Sequence, residues 1–360
     1  MSGEMLPNNE KDTHTVTEFN TDQGGRIFQI PLNAFPGFWV YAYLVLVDDY
    51  KVLIDTGSNF DASNQSLEDG LLEIGKRIGQ PIGLTDLTHV LITHGHIDHF
   101  GGLAYIQPRT QAKVSIHELD RRNLCCFEER RHFSAHKITE FLNESGVSAD
   151  KIEQMLQMYM FPMTLFSQAD VDFTYEAAGM QVGPFKMLHV PGHCAGMVVI
   201  RLHDVLFSAD HVLTGISPHQ APESLTLNTG LWHYLQSLQT VVDWAADVRL
   251  TLGSHKQPIN DLSARVEEIR GEHIKRLSKI IDILEQPSTV ADISRQLFGK
   301  VGGYNILLAL EETGAHIEFL YQYGLLSINN LGEIQNGSQP VAIRYARMVD
   351  EFNPKFVYHG

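Results

Sequence analysis

Residues 93–102 read Thr, His, Gly, His, Ile, Asp, His, Phe, Gly, Gly, which places three imidazoles (His94, His96, His99) and one carboxylate (Asp98) within six consecutive positions. A hydrophobic core has no use for that density of polar groups. Imidazole nitrogen and carboxylate oxygen are donors that Zn²⁺ prefers and that Fe²⁺ and Mn²⁺ accept, so the chemistry indicated is metal ligation. One cluster fills only part of the shells of two cations. Three further candidates stand just after apolar runs: His193 in His-Val-Pro-Gly-His, Asp210 in Leu-Phe-Ser-Ala-Asp, and His255 after Leu-Thr-Leu-Gly-Ser.

Those runs are the elements that must position the donors. Residues 87–93 are apolar and β-branched, which predicts a buried strand presenting the first cluster on a loop at its C-terminal end. Gly101 and Gly102 permit a tight turn after it. A β-hairpin is predicted over 40–55, turning at Asp48, Asp49 and Tyr50 and ending at Asp55-Thr56-Gly57, with helical spacing over 67–79. Short strands are expected at 113–117, 185–190, 197–202, 205–208 and 248–252, and a helix at 231–247. Residues 118–168 switch to a helical pattern, an insert with Arg121, Arg122, Arg130 and Arg131 early and Met155, Met158, Tyr159, Met160, Phe161, Met163 and Phe166 late. After Ile259 the sequence predicts helices at 262–285, 287–298 and 304–323 and a small hairpin over 324–334, an arrangement that resembles a winged-helix module. The expected organisation is a mobile tail (1–25), a catalytic domain (26–260), a small, mainly helical C-terminal domain (261–340) and a C-terminal tail (341–360).

Composition narrows the function classes. A chain of 360 residues with 43% hydrophobic content can build one large domain and an accessory one. No apolar run reaches the roughly 20 residues needed to span a bilayer, so no membrane association is expected. Three cysteines, Cys125, Cys126 and Cys194, are an odd number that includes an adjacent pair ill suited to bridging, which points to a reducing cytoplasm. A formal charge of −16 argues against indiscriminate binding to nucleic acid or anionic membrane.

Taken in order, His-X-His-X-Asp-His at 94–99, Pro-Gly-His at 191–193, Ser-Ala-Asp at 208–210 and Gly-Ser-His at 253–255 resemble the metal motifs of the metallo-β-lactamase-fold hydrolase superfamily over roughly residues 27–259. The resemblance implies an α/β (α+β) fold, a four-layered αββα sandwich. It implies that His94, His96 and His193 hold one metal, that Asp98, His99 and His255 hold the second, and that Asp210 bridges both. The complete motif favours a dizinc centre over the diiron flavoprotein branch, with iron or manganese as alternatives. Asp55 in Asp-Thr-Gly matches a recurrent motif and is expected to shape the loop behind a ligand rather than to ligate. Cys194 follows a ligand and is expected to be a buried structural cysteine, because seven nitrogen and oxygen donors already complete both shells. His211 and His219 are candidates for substrate contact or for support behind a ligand.

The chemistry implied is hydrolysis by a hydroxide shared between two cations, with Asp98 and Asp210 as the catalytic carboxylates and no serine or cysteine nucleophile. The branch most resembled is glyoxalase II-like with a C-terminal winged-helix-like extension. A thioester is therefore the expected small-molecule substrate, a lactone or carboxylic ester the second choice, and a phosphodiester or RNA the third. Against nucleic acid, residues 287–340 carry only Arg295 and Lys300 against Asp292, Glu311, Glu312, Glu318 and Glu333. The C-terminal domain is thus expected to serve packing or homodimerisation. The insert is expected to cover the metals as a lid, the four arginines to form a solvated face rather than an anion site, and the aromatic run Phe35-Pro36-Gly37-Phe38-Trp39 to flank the pocket.

Overall fold

The computed structural model describes residues 14–163, 166–337 and 340–358, with the backbone alone at residues 162 and 163. The Met163 side chain, counted above in the apolar end of the insert, and residues 1–13 of the expected tail thus lie outside the described residues. Two sheets stack face to face. The first runs in the order β1 (Thr17–Asn20), β2 (Arg26–Phe35), β3 (Phe38–Val47), β4 (Tyr50–Ile54), β5 (His89–Leu91), β6 (Lys113–Ile116) and β7 (Phe173–Thr174). Its first four strands are antiparallel and the rest join in parallel. The second sheet holds β8 (Gln181–Val182), β9 (Phe185–His189), β10 (Val198–Leu202), β11 (Val205–Ala209) and β12 (Leu250–Gly253), with a parallel pair at β11 and β12.

Period-two burial explains the layering. In β3, Tyr43 and Val45 point into the space between the sheets, where they meet Phe185, Ile200 and Phe207, while Ala42 and Leu44 point to the opposite face. That outer face packs on Leu67, Leu71 and Ile74 of α1 (Asp61–Ile78). The outer face of the second sheet, through Val199 and Leu206, packs on Val241 of α7 (Leu231–Trp244). Helix, sheet, sheet and helix form four layers, as the motifs implied. Two single-turn helices, α2 (Ile97–Phe100), which carries Asp98 and His99, and α3 (Leu103–Ile106), come between β5 and β6 in the chain.

The insert comprises α4 (Glu118–Cys125), α5 (Phe127–Glu144) and α6 (Ala149–Met163), and the C-terminal region begins with α8 (Leu262–Ile283), α9 (Val290–Phe298) and α10 (Asn305–Gln322). They share one apolar core: Phe141, Leu142 and Ile152 of the insert cluster with Leu277, Ile280, Ile317 and Leu320 and with Leu235 and Leu238 of α7. α9 starts on a capping box in which Thr289 and Asp292 satisfy each other's backbone N–H groups.

Two expectations need correction. The hairpin over 324–334 does not form: β13 (Leu326–Ile328) is followed by α11 (Leu331–Asn336), and its partner is the distant β14 (Tyr345–Arg347). Asn330 diverts the chain, because its side chain accepts from Arg344 N–H and donates to the Ala342 carbonyl. Ordered structure also reaches into both expected tails, since β1 lies within 1–25 and pairs with β2 while β14 lies within 341–360 and pairs with β13. β1 escapes the hydrophobic pattern because it is an edge strand with half-exposed residues.

Candidate metal centre

All seven candidate donors meet at one end of the two sheets. His94 follows β5, His193 follows β9, Asp210 caps β11 and His255 follows β12, while His96, Asp98 and His99 lie on or beside α2. Ala209, at φ 47°, takes a left-handed conformation that turns Asp210 out of the strand, at an irregularity in the β11–β12 register. Gly192 (φ 139°) sits so close to the Tyr234 backbone that a Cβ would collide with it, and Gly102 likewise leaves no room beside the Thr56 carbonyl. These two glycines let the ligand loops lie against α7 and the β4 loop.

Two nests result. His94 Nε2 lies 3.0 Å and His193 Nε2 3.1 Å from His96 Nδ1, and Asp210 Oδ2 is 3.8 Å from His193 Nε2. In the second nest, His99 Nε2 is 3.5 Å from both Asp98 Oδ2 and Asp210 Oδ2, and His255 Nε2 is 3.5 Å from Asp210 Oδ1. Donors bound to one cation at about 2.0–2.1 Å sit about 3.3 Å apart in a tetrahedron, close to these spacings. His99 Nε2 and Asp210 Oδ1 are buried with no hydrogen-bond partner among the described residues, a costly state that a cation between them would relieve. The donor set therefore fits divalent metal ions, with Asp210 reaching both nests.

Each imidazole is oriented by its other nitrogen. His193 Nδ1 donates to the His219 carbonyl at 2.7 Å, His255 Nδ1 to the Trp39 carbonyl at 2.8 Å, and His99 Nδ1 to Asp55 Oδ2 at 2.8 Å. Each bond fixes the tautomer whose free nitrogen faces the nest. Asp55 also accepts from the Thr93 N–H and hydroxyl, so it ties the first ligand loop to β4 without entering the cluster. Burial, with neighbouring imidazoles, pushes His94 and His96 well below the usual histidine range. Burial also opposes charge on His99, but the carboxylates of Asp98, Asp210 and Asp55 outweigh it and raise its pKa well above the usual value. Asp210 runs the other way: burial would raise it, yet His255 and His99 hold it well below the carboxylate range. The site is a mutually attracting set of acids and bases in which a cation would replace the shared protons.

Three further groups support the ligands, and of these only Asp120 was not singled out in the sequence. Asp120, buried on α4, accepts from Gly95 N–H (2.8 Å) and Gly196 N–H (3.0 Å), stitching the loops that carry His96 and His193. Cys194, expected to be merely structural, places Sγ 3.2 Å from His96 Nε2, where it receives that N–H and leaves Nδ1 facing the nest. His219, a candidate for support behind a ligand, does stand behind His193, but through its backbone carbonyl rather than its ring. His211 is buried against Tyr234 with neither ring nitrogen hydrogen-bonded among the described residues, and burial pushes its pKa down to about 3.

The surroundings sort the remaining candidates. Arg121 pairs with Glu118 and Arg122 with Glu129 on exposed surface, as a solvated face should. Arg130 instead turns toward Asn123, which packs on Gly95, while Arg131 is largely buried and pairs with Glu128. The aromatic run forms the tip between β2 and β3, with Phe38 5.1 Å from the His255 ring. A third buried group, His273, Glu312 and His316, belongs to packing between α8 and α10. Its carboxylate already accepts from Arg276 (3.1 Å) and Gln220 N–H (2.8 Å), and His273 bonds His316 at 3.0 Å. No helix among the described residues is long and apolar enough to cross a membrane.

Comparison with known proteins agrees with this geometry. A probable metallo-hydrolase of Bacillus subtilis (strain 168), YqjP, is 24% identical over 292 residues, spanning 78% of this chain and 87% of that protein. A hydroxyacylglutathione hydrolase of Shewanella baltica (strain OS223) is 26% identical over 129 residues, 36% of this chain and 35% of that protein. The crystal structure of a metallo-beta-lactamase family protein from Thermus thermophilus, TTHA1429, shares the fold with a TM-score of 0.70 at 24% identity, covering 89% of this chain and 98% of that one. A family model described as the metallo-beta-lactamase superfamily matches residues 37–251, a span that takes in every candidate donor except His255. With more than half its length matched and its donors gathered where the motifs required, the chain belongs to the metallo-beta-lactamase superfamily.

Proposed function

We propose that the protein is a dinuclear metal-dependent hydrolase of small acyl compounds, acting first on a thioester. The observation that carries this is the convergence of His94, His96, Asp98, His99, His193, Asp210 and His255 into two nests that share one carboxylate. We assign zinc to the nests from their nitrogen and oxygen donors, with iron or manganese as alternatives. Cations so held would lower the pKa of water from about 15.7 toward neutrality and polarise the substrate carbonyl.

The chain's own residues do the rest. Asp210 spans the nests and sets their separation, and Asp98 accepts a hydrogen bond that orients the attacking water. Hydrolysis forms a C–O bond and breaks the C–S bond, and the departing thiolate takes a proton. The hydroxyacylglutathione hydrolase similarity favours a thioester, although it covers about a third of the chain. Lactones and carboxylic esters are the second choice because the same nests would serve them. RNA or another phosphodiester is disfavoured by the acidic C-terminal region, which we read as a winged-helix-like domain used for packing or homodimerisation. Three unpaired cysteines support residence in the cytoplasm.

The test is a panel of acyl thioesters, lactones, aryl esters and bis-nitrophenyl phosphate, assayed with the zinc, manganese and iron forms. Turnover of thioesters well above phosphodiesters supports the proposal. Preference for the phosphodiester refutes it.

A further inference from the structure

The insert breaks where its sequence supplies no breaker. Residues 118–144 contain neither proline nor glycine, yet α4 stops at Cys125 and α5 begins at Phe127. Cys126 stands between them at φ −129° and ψ 39°, outside the helical region. Successive residues of a continuous helix point apart and do not face each other. The break removes that separation: Cys125 Sγ and Cys126 Sγ lie 3.7 Å apart, in van der Waals contact, and both residues are only half-buried.

The surroundings tie this pair to the first nest. α4 carries Asp120, whose carboxylate holds the Gly95 and Gly196 N–H groups, and Asn123, whose side-chain amide packs so closely on Gly95 that a Cβ there would collide with it. Across the break, Arg130 of α5 donates from Nε to Asn123 Oδ1 at 3.3 Å. The Leu124 carbonyl accepts from Ala169 N–H at 3.1 Å and pins the end of α4 to the chain leaving the insert. Gly95 lies between His94 and His96, so the last turn of α4 rests on the loop that supplies two donors to the first nest.

We propose that Cys125 and Cys126 form a reversible redox site, in which oxidation to a vicinal disulfide loosens the first metal nest. The oxidant required is a low-molecular-weight disulfide such as glutathione disulfide. One cysteine attacks a sulfur of that disulfide as its thiolate and expels a small thiol; the other then attacks the cysteine sulfur of the mixed disulfide and expels the second. One S–S bond forms in the protein, one breaks in the oxidant, and the two cysteine protons pass through solvent to the two released thiols. Bonding requires the Sγ atoms to close from 3.7 Å to about 2.05 Å. Neighbouring Cα atoms are about 3.8 Å apart, below the roughly 4.4–6.8 Å that a relaxed disulfide spans, so the bond is strained and readily reduced. That suits a transient mark in a reducing compartment rather than a structural staple. The strain falls on the break and on the last turn of α4, which holds Asn123 against Gly95. The site acts on metal retention, whichever bond the protein hydrolyses, and so goes beyond the function proposed above.

The experiment treats the metal-loaded protein with glutathione disulfide and compares wild type with a Cys125→Ser, Cys126→Ser double variant, which keeps Cys194. Mass spectra of the peptide containing both cysteines report the bond, and competition with a chromophoric chelator reports metal affinity. The wild-type peptide should lose two hydrogens without gaining glutathione, and the first nest should bind its cation about 10-fold more weakly, with dithiothreitol reversing both changes. The double variant should keep the affinity of the reduced wild type with or without the oxidant. A peptide that carries glutathione or stays reduced overturns the proposal, as does a bridged protein that holds its metal as tightly as the reduced one. Loss of affinity in the oxidised double variant also overturns it, because the effect would then lie at Cys194.

Discussion

Replacing Asp120 tests whether the ligand loops are held by the protein or only by the metals. Its carboxylate is 1% exposed and bonds the Gly95 and Gly196 N–H groups at 2.8 and 3.0 Å. Burial raises its pKa, and those two N–H groups offset only part of the rise. A hydrogen bond to a charged group contributes about 1.5–3 kcal/mol, and Asp120→Ala leaves both N–H groups unmatched. Relief of the buried charge offsets part of that loss, so the net destabilisation expected is about 3 kcal/mol. Because the loops carry His96 and His193, the cation in the first nest should also bind about 10–100-fold more weakly. Asp120→Asn keeps one acceptor and should fall between wild type and alanine on both counts. Urea unfolding gives the stability, and competition with a chromophoric chelator gives the affinity. Unchanged metal affinity in a folded Asp120→Ala protein would refute the reasoning.

Three further outcomes follow from single contacts. Cys194→Val removes the Sγ partner of His96 Nε2 and frees that ring to turn, so metal in the first nest should bind about 10-fold or more weakly by the same chelator assay; equal affinity would mean the thiol only packs. Gly102→Ala drives a Cβ into the Thr56 carbonyl, and the thermal midpoint should fall by several degrees, for a cost of about 1–3 kcal/mol. Glu311 has its folded pKa raised from 4.5 to about 8, so the folded chain keeps a proton that the unfolded chain releases. Stability is therefore lost as pH rises from about 4.5 to 8, by at most about 5 kcal/mol, and Glu311→Gln should flatten that slope in urea titrations at several pH values.

Much of the chain was legible because the chemistry repeats at strand ends. The β-branched run before His94 and the apolar run before Asp210 are buried strands, β5 and β11, and each releases its polar residue where the sheet stops. The insert helices and α8 to α10 declared themselves through apolar spacing. Three kinds of feature were hidden. β1 and β14 are short edge strands whose pairing depends on distant partners. The second arm of the expected hairpin was displaced by Asn330, whose side chain bonds backbone twelve and fourteen residues away. Asp120, Cys194 and the His219 carbonyl act on backbone groups or on the far side of a ligand ring, where no spacing rule applies. Glu311 was counted only as one acidic charge in an acidic region, because its burial beside His219, with no lysine or arginine paired to it among the described residues, is a property of the packed helices.

The central claim is that seven side chains form two neighbouring metal nests. Metal-to-protein ratio, measured by plasma emission after metal-replete growth and gel filtration, tests it most directly in the wild type and in His96→Ala and His255→Ala. Two equivalents in the wild type, with about one lost in each variant, is the predicted result. A wild-type ratio near zero, or variants that keep both metals, would contradict it.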